Sequence, residues 1–301
     1  MYDIIIVGAG PAGLTSSIYA RRAMKKTLVL EALSYGGQII NTLSIDNYPA
    51  NPNISGFDFA TRLYNQAKDL GAEIKFEKVT EIMDSEGFKE VVTTKGSYKT
   101  KTIIIATGSE NRKLGIPREL ELTGKGISYC ATCDGAFYKG KDVAVVGGGN
   151  TALEDALYLT DVAKTVYLIH RRDEFRGEEA LVNALKNKNN IKFIYNSNVT
   201  KLNGDNRLES IEISGNDGSK KEILVSGLFV AVGRIPENEN FRNVINLDES
   251  GYIIASEDCH TNVPGIFVAG DNRVKDVRQL VTAASDGAIA ATEAIKFINN
   301  R

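Results

Sequence analysis

Two copies of one glycine-rich pattern constrain the fold of this chain more than any other feature of its sequence. Gly8-Ala9-Gly10-Pro11-Ala12-Gly13 and Gly147-Gly148-Gly149-Asn150-Thr151-Ala152 each follow a short β-branched run. Each copy continues into a helix-prone segment and then a second strand, which ends at Glu31 in the first copy and at His170 in the second, at the same spacing. In this context a GxGxxG pattern predicts a dinucleotide site. We therefore predict an α/β fold with two Rossmann-like dinucleotide-binding domains.

The residue that closes the second strand of each copy predicts which dinucleotide binds. Glu31 would accept hydrogen bonds from ribose hydroxyls and repel a 2′-phosphate, which indicates an unphosphorylated adenosine such as that of FAD. The second copy has His170 at this position, followed by Arg171, Arg172 and Arg176. Guanidinium groups suit a phosphate, so the second copy predicts NADPH. The alternative is a solvated loop in which these arginines pair with Asp173 and Glu174.

Further strand patterns predict how the two domains share the chain. Residues 102–108 and 227–233 are buried strand patterns that end in glycine, at Gly108 and Gly233, and each closes one nucleotide unit. The block from residue 265 to 298 has no fingerprint of its own, so we assign it to the first domain. The predicted FAD-binding domain therefore comprises residues 1–113 and 241–301. The NADPH domain, residues 114–240, is inserted into the FAD domain.

Cys130-Ala131-Thr132-Cys133-Asp134 lies just before the second fingerprint. Two thiols at this spacing can close a disulfide and open it again, which makes them an electron relay between cofactors and a substrate. A zinc site would need four ligands, whereas the chain adds only Cys259 and two unclustered histidines, so we predict no metal site. Asp134 would serve the thiols as a proton donor and acceptor, although an Asp before Gly is also typical of a turn. Cys259 is predicted to be a buried side chain, and His260 has no predicted partner.

Composition excludes several classes of function. The chain has 301 residues, 43% hydrophobic content and a formal charge of -2, which predicts neither a nucleic-acid partner nor a membrane partner. No apolar run reaches membrane-spanning length, and the first residues enter a strand pattern rather than an export signal. Three cysteines are too few for a secreted disulfide framework, so we predict a cytoplasmic enzyme.

With these motifs in order, the chain resembles the low-molecular-weight bacterial thioredoxin reductases over essentially its whole length. The matching motifs are GAGPAG, GGQ, ATG, CATCDG, GGGNTA, HRRDEFR, GIFVAGD and Arg278-Gln279. The resemblance implies a homodimeric NADPH-dependent thioredoxin-disulfide reductase with FAD as its flavin and thioredoxin, or a related small dithiol protein, as its partner. The segments Asp271–Asp276 and Pro236–Asn238 depart from the commonest family versions.

The resemblance and the two fingerprints together imply roles for individual residues. Cys133 would face the flavin, Cys130 would attack the protein substrate, and Asp134 would be the acid and base. The implied FAD-binding residues are Gly8, Gly10, Ala12, Gly13, Glu31, Gly36, Gly37, Gln38, Asn47, Gly108, Asp271, Arg278 and Gln279. The implied NADPH-binding residues are Gly147, Gly149, Asn150, Thr151, Arg171, Arg172 and Arg176.

Two alternative functions stay open on the sequence alone. The flavoprotein reductase of a peroxide-reducing system shares these domains, although it carries additional thioredoxin-like domains before its flavin fingerprint. A non-catalytic FAD-binding redox sensor would use the same disulfide as a signal. Repeated turnover with thioredoxin would distinguish an enzyme from a sensor.

Overall fold

The computed structural model describes residues 1–42 and 44–300, without the side chain of Asn41, and it separates into two compact units. Unit 1 consists of Met1–Glu110 and Ile235–Arg301, and unit 2 of Asn111–Arg234. Unit 2 is therefore an insertion in unit 1. The chain enters unit 2 between Glu110 and Asn111 and leaves it between Arg234 and Ile235. Among the described residues, no helix is both long enough and apolar enough to cross a membrane.

Strands and helices alternate in two stretches of the chain, residues 2–76 and 119–194. The strands are β1 (Tyr2–Val7), β2 (Thr27–Glu31), β3 (Glu73–Phe76), β4 (Val79–Ser85), β5 (Phe88–Thr93), β6 (Gly96–Ile105), β7 (Ser109–Asn111), β8 (Ile127–Ser128), β9 (Asp142–Gly147), β10 (Thr165–Ile169), β11 (Ile191–Ile194), β12 (Ser197–Asn203), β13 (Ser210–Gly215), β14 (Lys220–Leu224), β15 (Gly227–Ala231), β16 (Arg234–Pro236) and β17 (Ile266–Val268). The helices are α1 (Pro11–Arg22), α2 (Gly56–Asp69), α3 (Glu119–Leu122), α4 (Ala131–Asp134), α5 (Asn150–Thr160), α6 (Glu179–Lys186) and α7 (Leu280–Asn299). Short 3-10 turns cover Gly37–Asn41, Gly135–Tyr138 and Glu239–Phe241.

The sheet of unit 1 has the order β3-β2-β1-β6-β5-β4, with β17 also paired to β6. The strands β1, β2, β3 and β17 and the second half of β6 run parallel. The first half of β6 instead pairs antiparallel with β5, which the sequence analysis does not predict. Side chains of β1 alternate between two cores, because Ile4 and Ile6 pack with α1 and α7 while Ile5 and Val7 pack on the other face. Burial on both faces explains the continuous apolar run of this strand.

Unit 2 repeats this arrangement. Its parallel sheet has the order β11-β10-β9-β15-β8, so β10-β9-β15 corresponds to β2-β1-β6 of unit 1. Unit 2 has a hydrophobic core on each face of this parallel sheet, and a separate antiparallel sheet, β12-β13-β14, packs its apolar side chains into one of these two cores. The predicted α/β class with two Rossmann-like units is therefore confirmed.

A buried charged cluster fixes the segment that leads into α7. Arg273 is only 1% exposed, and its guanidinium donates two hydrogen bonds to the carboxylate of Asp286, at 2.8 and 3.0 Å. Lys275 and the Gly270 N–H donate to the same carboxylate, each at 2.9 Å. Buried charges persist when they are paired and hydrogen-bonded, as they are in this cluster. Arg273 and Lys275 of this cluster lie in the segment Asp271–Asp276.

Candidate functional site

The first fingerprint is built so that only glycine fits at two of its positions. Gly8 has φ +109°, and a Cβ added there would lie 2.3 Å from the Ala106 carbonyl oxygen at the end of β6. A Cβ on Gly13 would lie 1.9 Å from the Gly8 carbonyl oxygen, so α1 packs directly on the turn. Gly10 caps α1 without any side chain, and the atom nearest to its Cβ position is the Gly37 Cα at 3.9 Å. Ala12 is buried in the first turn of α1.

The second fingerprint repeats this geometry in unit 2. A Cβ on Gly147 would lie 2.3 Å from the Ala231 carbonyl oxygen, at the end of β15, and 2.6 Å from the Ala152 Cβ. Gly149 caps α5, and no described atom lies within 4 Å of its Cβ position. Thr151 is exposed in the first turn of α5.

Both helices therefore begin at open glycines, with no side-chain cap and no acidic residue in the first turn. Their first backbone N–H groups have no partner within the helix and lie at its positive end. Such a terminus binds the pyrophosphate of a dinucleotide. The residues present thus fit two dinucleotide cofactors.

Glu31 ends β2 beside the first fingerprint. Its Oε2 accepts a hydrogen bond from the Ala9 N–H at 2.8 Å, and its Oε1 accepts one from the Leu33 N–H at 2.9 Å. These contacts orient the carboxylate at the turn. Each oxygen keeps a further lone pair, which suits a ribose hydroxyl.

The predicted flavin residues of unit 1 form several local contacts. Gly36 and Gly37 have φ of +103° and +61°, and the Gly36 N–H donates to the Ala9 carbonyl at 2.8 Å, which ties the GGQ segment to the fingerprint. The Asn47 amide donates to Oε1 of Gln279 at 3.0 Å. Gln38 and Asn47 are exposed.

The remaining predicted flavin residues follow β6 and β17 in the chain. Gly108 has φ +71° just after β6. Gly270 follows β17, its Cβ position is 3.0 Å from the Ala12 Cβ, and Asp271 comes next in the chain. The guanidinium of Arg278 lies over the Tyr252 ring, at 4.4 Å from its centroid.

Residues 171–178, the arginine loop, follow β10 in unit 2. Its three arginines, Arg171, Arg172 and Arg176, are exposed, and they form no ion pair with another residue in the described part of the chain. In particular, no pairing with Asp173 or Glu174 is found there, as the alternative of a solvated, paired loop requires.

The His170 ring contacts both the second fingerprint and the arginine loop. A Cβ on Gly148 would lie 2.1 Å from the His170 ring, and the ring stacks on Phe175 with centroids 5.4 Å apart. Burial, together with the three neighbouring guanidinium groups, lowers the pKa of His170. The imidazole is therefore neutral at neutral pH, so the positive charge of the loop resides on its arginines.

Cys130 and Cys133 form a disulfide with a Cα–Cα distance of 5.3 Å. Cys130 caps the short helix α4, and its Sγ accepts a hydrogen bond from the Cys133 N–H at 3.2 Å. Both residues are partly exposed. The structure therefore places a disulfide at the predicted pair, within reach of solvent.

Asp134 ends α4 beside the disulfide. Its Oδ2 accepts a hydrogen bond from the Ser128 hydroxyl at 2.6 Å, and that hydroxyl oxygen accepts one from the Cys130 N–H at 3.1 Å. Burial raises the pKa of Asp134 against the opposing effect of the Ser128 hydrogen bond. A carboxyl with a raised pKa is better suited to deliver a proton near neutral pH. Ser128 is not among the residues predicted from the sequence, although a hydroxyl two residues before Cys130 is a local signal for it.

Asp155 is a second carboxyl near the disulfide that the sequence analysis misses. It lies on α5, which packs against α4, and its carboxyl is close enough to the backbone of Ala131, the residue after Cys130, for that backbone to lower its pKa. Burial, and after it the charge of Glu154, raises the pKa of Asp155 to about 7. Only the packing of α4 against α5 brings it there, so its place in the sequence carries no signal.

Two further predictions concern residues outside these sites. Cys259 is fully buried, as predicted, and burial raises the pKa of its thiol to about 12. His260, for which the sequence predicts no partner, has its Nε2 3.3 Å from Oε2 of Glu293. Among the described residues, no three His, Cys, Asp or Glu side chains gather as metal ligands.

Comparison with known proteins places this geometry in a family. The model of the pyridine nucleotide-disulphide oxidoreductases matches residues 2–288. A thioredoxin reductase of Listeria innocua is 43% identical over 99% of this chain and 94% of its own, and one of Bacillus subtilis is 39% identical over 99% and 95%. The crystal structure of a thioredoxin reductase from Streptococcus pyogenes matches with a TM-score of 0.95 and 38% identity, covering 100% of this chain and 99% of the other.

The chain belongs to the pyridine nucleotide-disulphide oxidoreductases and, within them, to the thioredoxin reductases. The cofactors of this family are FAD and NADPH. The two open glycine turns and the disulfide described above are the corresponding features of this chain.

Replacing Asp155 by Asn is expected to stabilise the protein, and to do so more at about pH 8 than at about pH 5. The pKa of Asp155 is about 7 in the folded protein, whereas the pKa of an Asp in an unfolded chain is about 3.9. The folded protein therefore holds a proton that the unfolded chain has lost, and stability falls as pH rises between these two values. Thermal unfolding of both proteins at the two pH values measures the difference.

Asp161→Asn is the matched control for this substitution. Asp161 lies just after α5 and forms an exposed ion pair with Lys188 at 2.6 Å. Loss of such a pair is expected to change stability by only ~0–1 kcal/mol. An equal gain for Asp155→Asn at both pH values would contradict the raised pKa.

Proposed function

We propose that this protein passes electrons from NADPH through FAD to the Cys130–Cys133 disulfide and from there to oxidised thioredoxin. One observation carries the proposal: a CxxC disulfide lies in the same unit as a dinucleotide turn followed by three exposed arginines. The unit also contains Asp134, a carboxyl with a raised pKa directly beside the disulfide. The relatives named above are thioredoxin reductases, which supports thioredoxin as the substrate.

We assign FAD to unit 1 and NADPH to unit 2. Glu31 would bind the adenosine ribose of FAD, because its carboxylate is fixed at the first turn by two backbone N–H groups. The three arginines would bind the 2′-phosphate of NADPH, for which they have no competing partner in the described chain. When bound, FAD supplies a carrier that takes an electron pair from NADPH and gives it to a disulfide. Asn47, Asp271, Arg278 and Gln279 would contact the flavin, as family resemblance implies.

The dithiol step follows from the two cysteines and Asp134. After reduction, the Cys130 thiolate would attack one sulfur of the thioredoxin disulfide, which forms a mixed disulfide and releases the other sulfur as a thiolate. The Cys133 thiolate would then attack the Cys130 sulfur, which re-forms the Cys130–Cys133 disulfide and releases reduced thioredoxin. Asp134 would donate a proton to a departing thiolate and recover it when a thiol ionises.

Replacing each cysteine by serine tests this order. The unchanged enzyme is expected to reduce many equivalents of a bacterial thioredoxin with NADPH, and both variants are expected to lose this activity. Cys133→Ser should accumulate a mixed disulfide with thioredoxin, because Cys130 can attack and no second thiol resolves the product. Cys130→Ser should accumulate little.

Mass spectrometry of the trapped complex identifies the bonded cysteine. A mixed disulfide through Cys133 alone would reverse the assignment. A single turnover of the unchanged enzyme with NADPH and thioredoxin would instead indicate a redox sensor.

Replacing Arg171 and Arg172 by Ala tests the assignment of NADPH. Each charge-assisted hydrogen bond to a phosphate contributes about 1.5–3 kcal/mol, so loss of one such bond should raise the KM for NADPH at least about tenfold. The KM for NADH should change much less, because NADH lacks the 2′-phosphate. Asp173→Ala, in the same loop, is the control and should not raise the KM for NADPH. Equal catalytic efficiency of the unchanged enzyme with NADPH and NADH would contradict the assignment.

We also propose a cytoplasmic homodimer. A dithiol that cycles with NADPH needs a reducing compartment, which supports the cytoplasm.

The proposed dimer rests on an exposed apolar surface around the start of α7. Val274, Val277 and Val281 expose their side chains there, with exposures of 42%, 56% and 43%, and a second copy would cover them. Sedimentation equilibrium tests the dimer, which Val277→Lys and Val281→Lys together should dissociate. A monomeric mass for the unchanged protein would refute it.

A further inference from the structure

The arginine loop is hydrogen-bonded to the second fingerprint at two points. The Arg176 N–H donates to the Gly148 carbonyl at 2.7 Å, and the Glu178 N–H donates to Oδ1 of Asn150 at 2.8 Å. The Asn150 amide in turn donates to Oε1 of Glu178 at 2.9 Å. These bonds involve the residues on either side of Gly149, the open cap of α5. The loop and the pyrophosphate turn are thereby joined into one element.

Local packing leaves little room between the loop and α5. A Cβ added to Gly177 would lie 2.5 Å from the Leu153 Cδ1 and 2.9 Å from Oδ1 of Asn150. The reciprocal bonds with Glu178 use one amide donor of Asn150 and its carbonyl oxygen. Asn150 is therefore engaged with the loop.

We propose that Asn150 and Glu178 form a clasp that positions the arginine loop for the 2′-phosphate, and that Glu178 is a positioning residue for NADPH. The inference rests on the proposed function, because it presumes that the three arginines bind this phosphate. The residues of the loop between β10 and α6 belong to no helix or strand. An unclasped loop would have to be ordered when NADPH binds, and that ordering reduces affinity.

The clasp and simple electrostatics predict opposite effects for the loss of Glu178. Glu178 is an exposed carboxylate close to a site for an anionic ligand, so its charge alone disfavours NADPH. Removing only the charge should leave the binding of NADPH unchanged or slightly tighter. Removing the hydrogen-bonding group should weaken binding if the clasp positions the arginines.

The test measures equilibrium binding of NADP⁺ and NAD⁺ to the FAD-loaded protein by isothermal titration calorimetry. Glu178→Ala is expected to raise the Kd for NADP⁺ about five- to tenfold, as the loss of about one net hydrogen bond predicts. The Kd for NAD⁺ should change less than about twofold, because NAD⁺ does not engage the arginines. Glu178→Gln, which keeps an acceptor for the Asn150 amide, should bind NADP⁺ at least as tightly as the unchanged protein.

Glu174→Ala is the charge-matched control, since Glu174 is exposed in the same loop and its side chain forms no hydrogen bond with a described residue. This substitution should not raise the Kd for NADP⁺. Unchanged or tighter NADP⁺ binding by Glu178→Ala would overturn the clasp while leaving the proposed function intact. If the unchanged protein binds NADP⁺ no more tightly than NAD⁺, the proposed cofactor assignment fails, and the clasp fails with it.

Discussion

The close approach of a glycine to the carbonyl at the end of a neighbouring strand is the contact on which both units depend. Gly8 meets Ala106, and Gly147 meets Ala231, with the same 2.3 Å separation between the glycine's Cβ position and the carbonyl oxygen. Any side chain there would push the turn away from the sheet and change where the next helix begins. Because the turn is this tight, α1 and α5 each start directly at the end of a parallel strand, with the positive end of the helix at the turn. The two dinucleotide sites follow from that placement.

The two units share one arrangement of strand, glycine turn and helix, so each unit serves as a control for the other. The two turns have matching backbone contacts, so the difference between the cofactors must come from side chains beyond the glycines. In unit 1 the carboxylate of Glu31 is fixed at the turn. In unit 2 the neutral ring of His170 fills the space under Gly148, and the charge is carried by the arginine loop above it. In the proposed assignment, the same backbone arrangement binds FAD in unit 1 and NADPH in unit 2 because the side chains differ at one strand end.

Local patterns in the sequence predict most of this frame, because strand burial, helix starts and glycine turns depend on near neighbours. β1, β2, β9 and β10, the fingerprints and the CxxC disulfide fall in this class. The antiparallel pairing of β5 with β6 and the buried Arg273–Asp286 pair depend on contacts between distant segments, which a single sequence does not display. The same holds for Asp155, which reaches Ala131 only because α4 packs on α5. The hydrogen bonds of Ser128 are local, so a hydroxyl two residues before a redox cysteine is a feature from which they could be predicted.

Anaerobic reductive titration of the FAD-loaded protein tests most directly whether the Cys130–Cys133 disulfide belongs to the electron path. We expect the unchanged protein to take up one electron pair for the flavin and a second for the disulfide. The variant in which both cysteines are serine should take up only the first pair. Uptake of a single pair by the unchanged protein, with the disulfide still intact afterwards, would contradict the account.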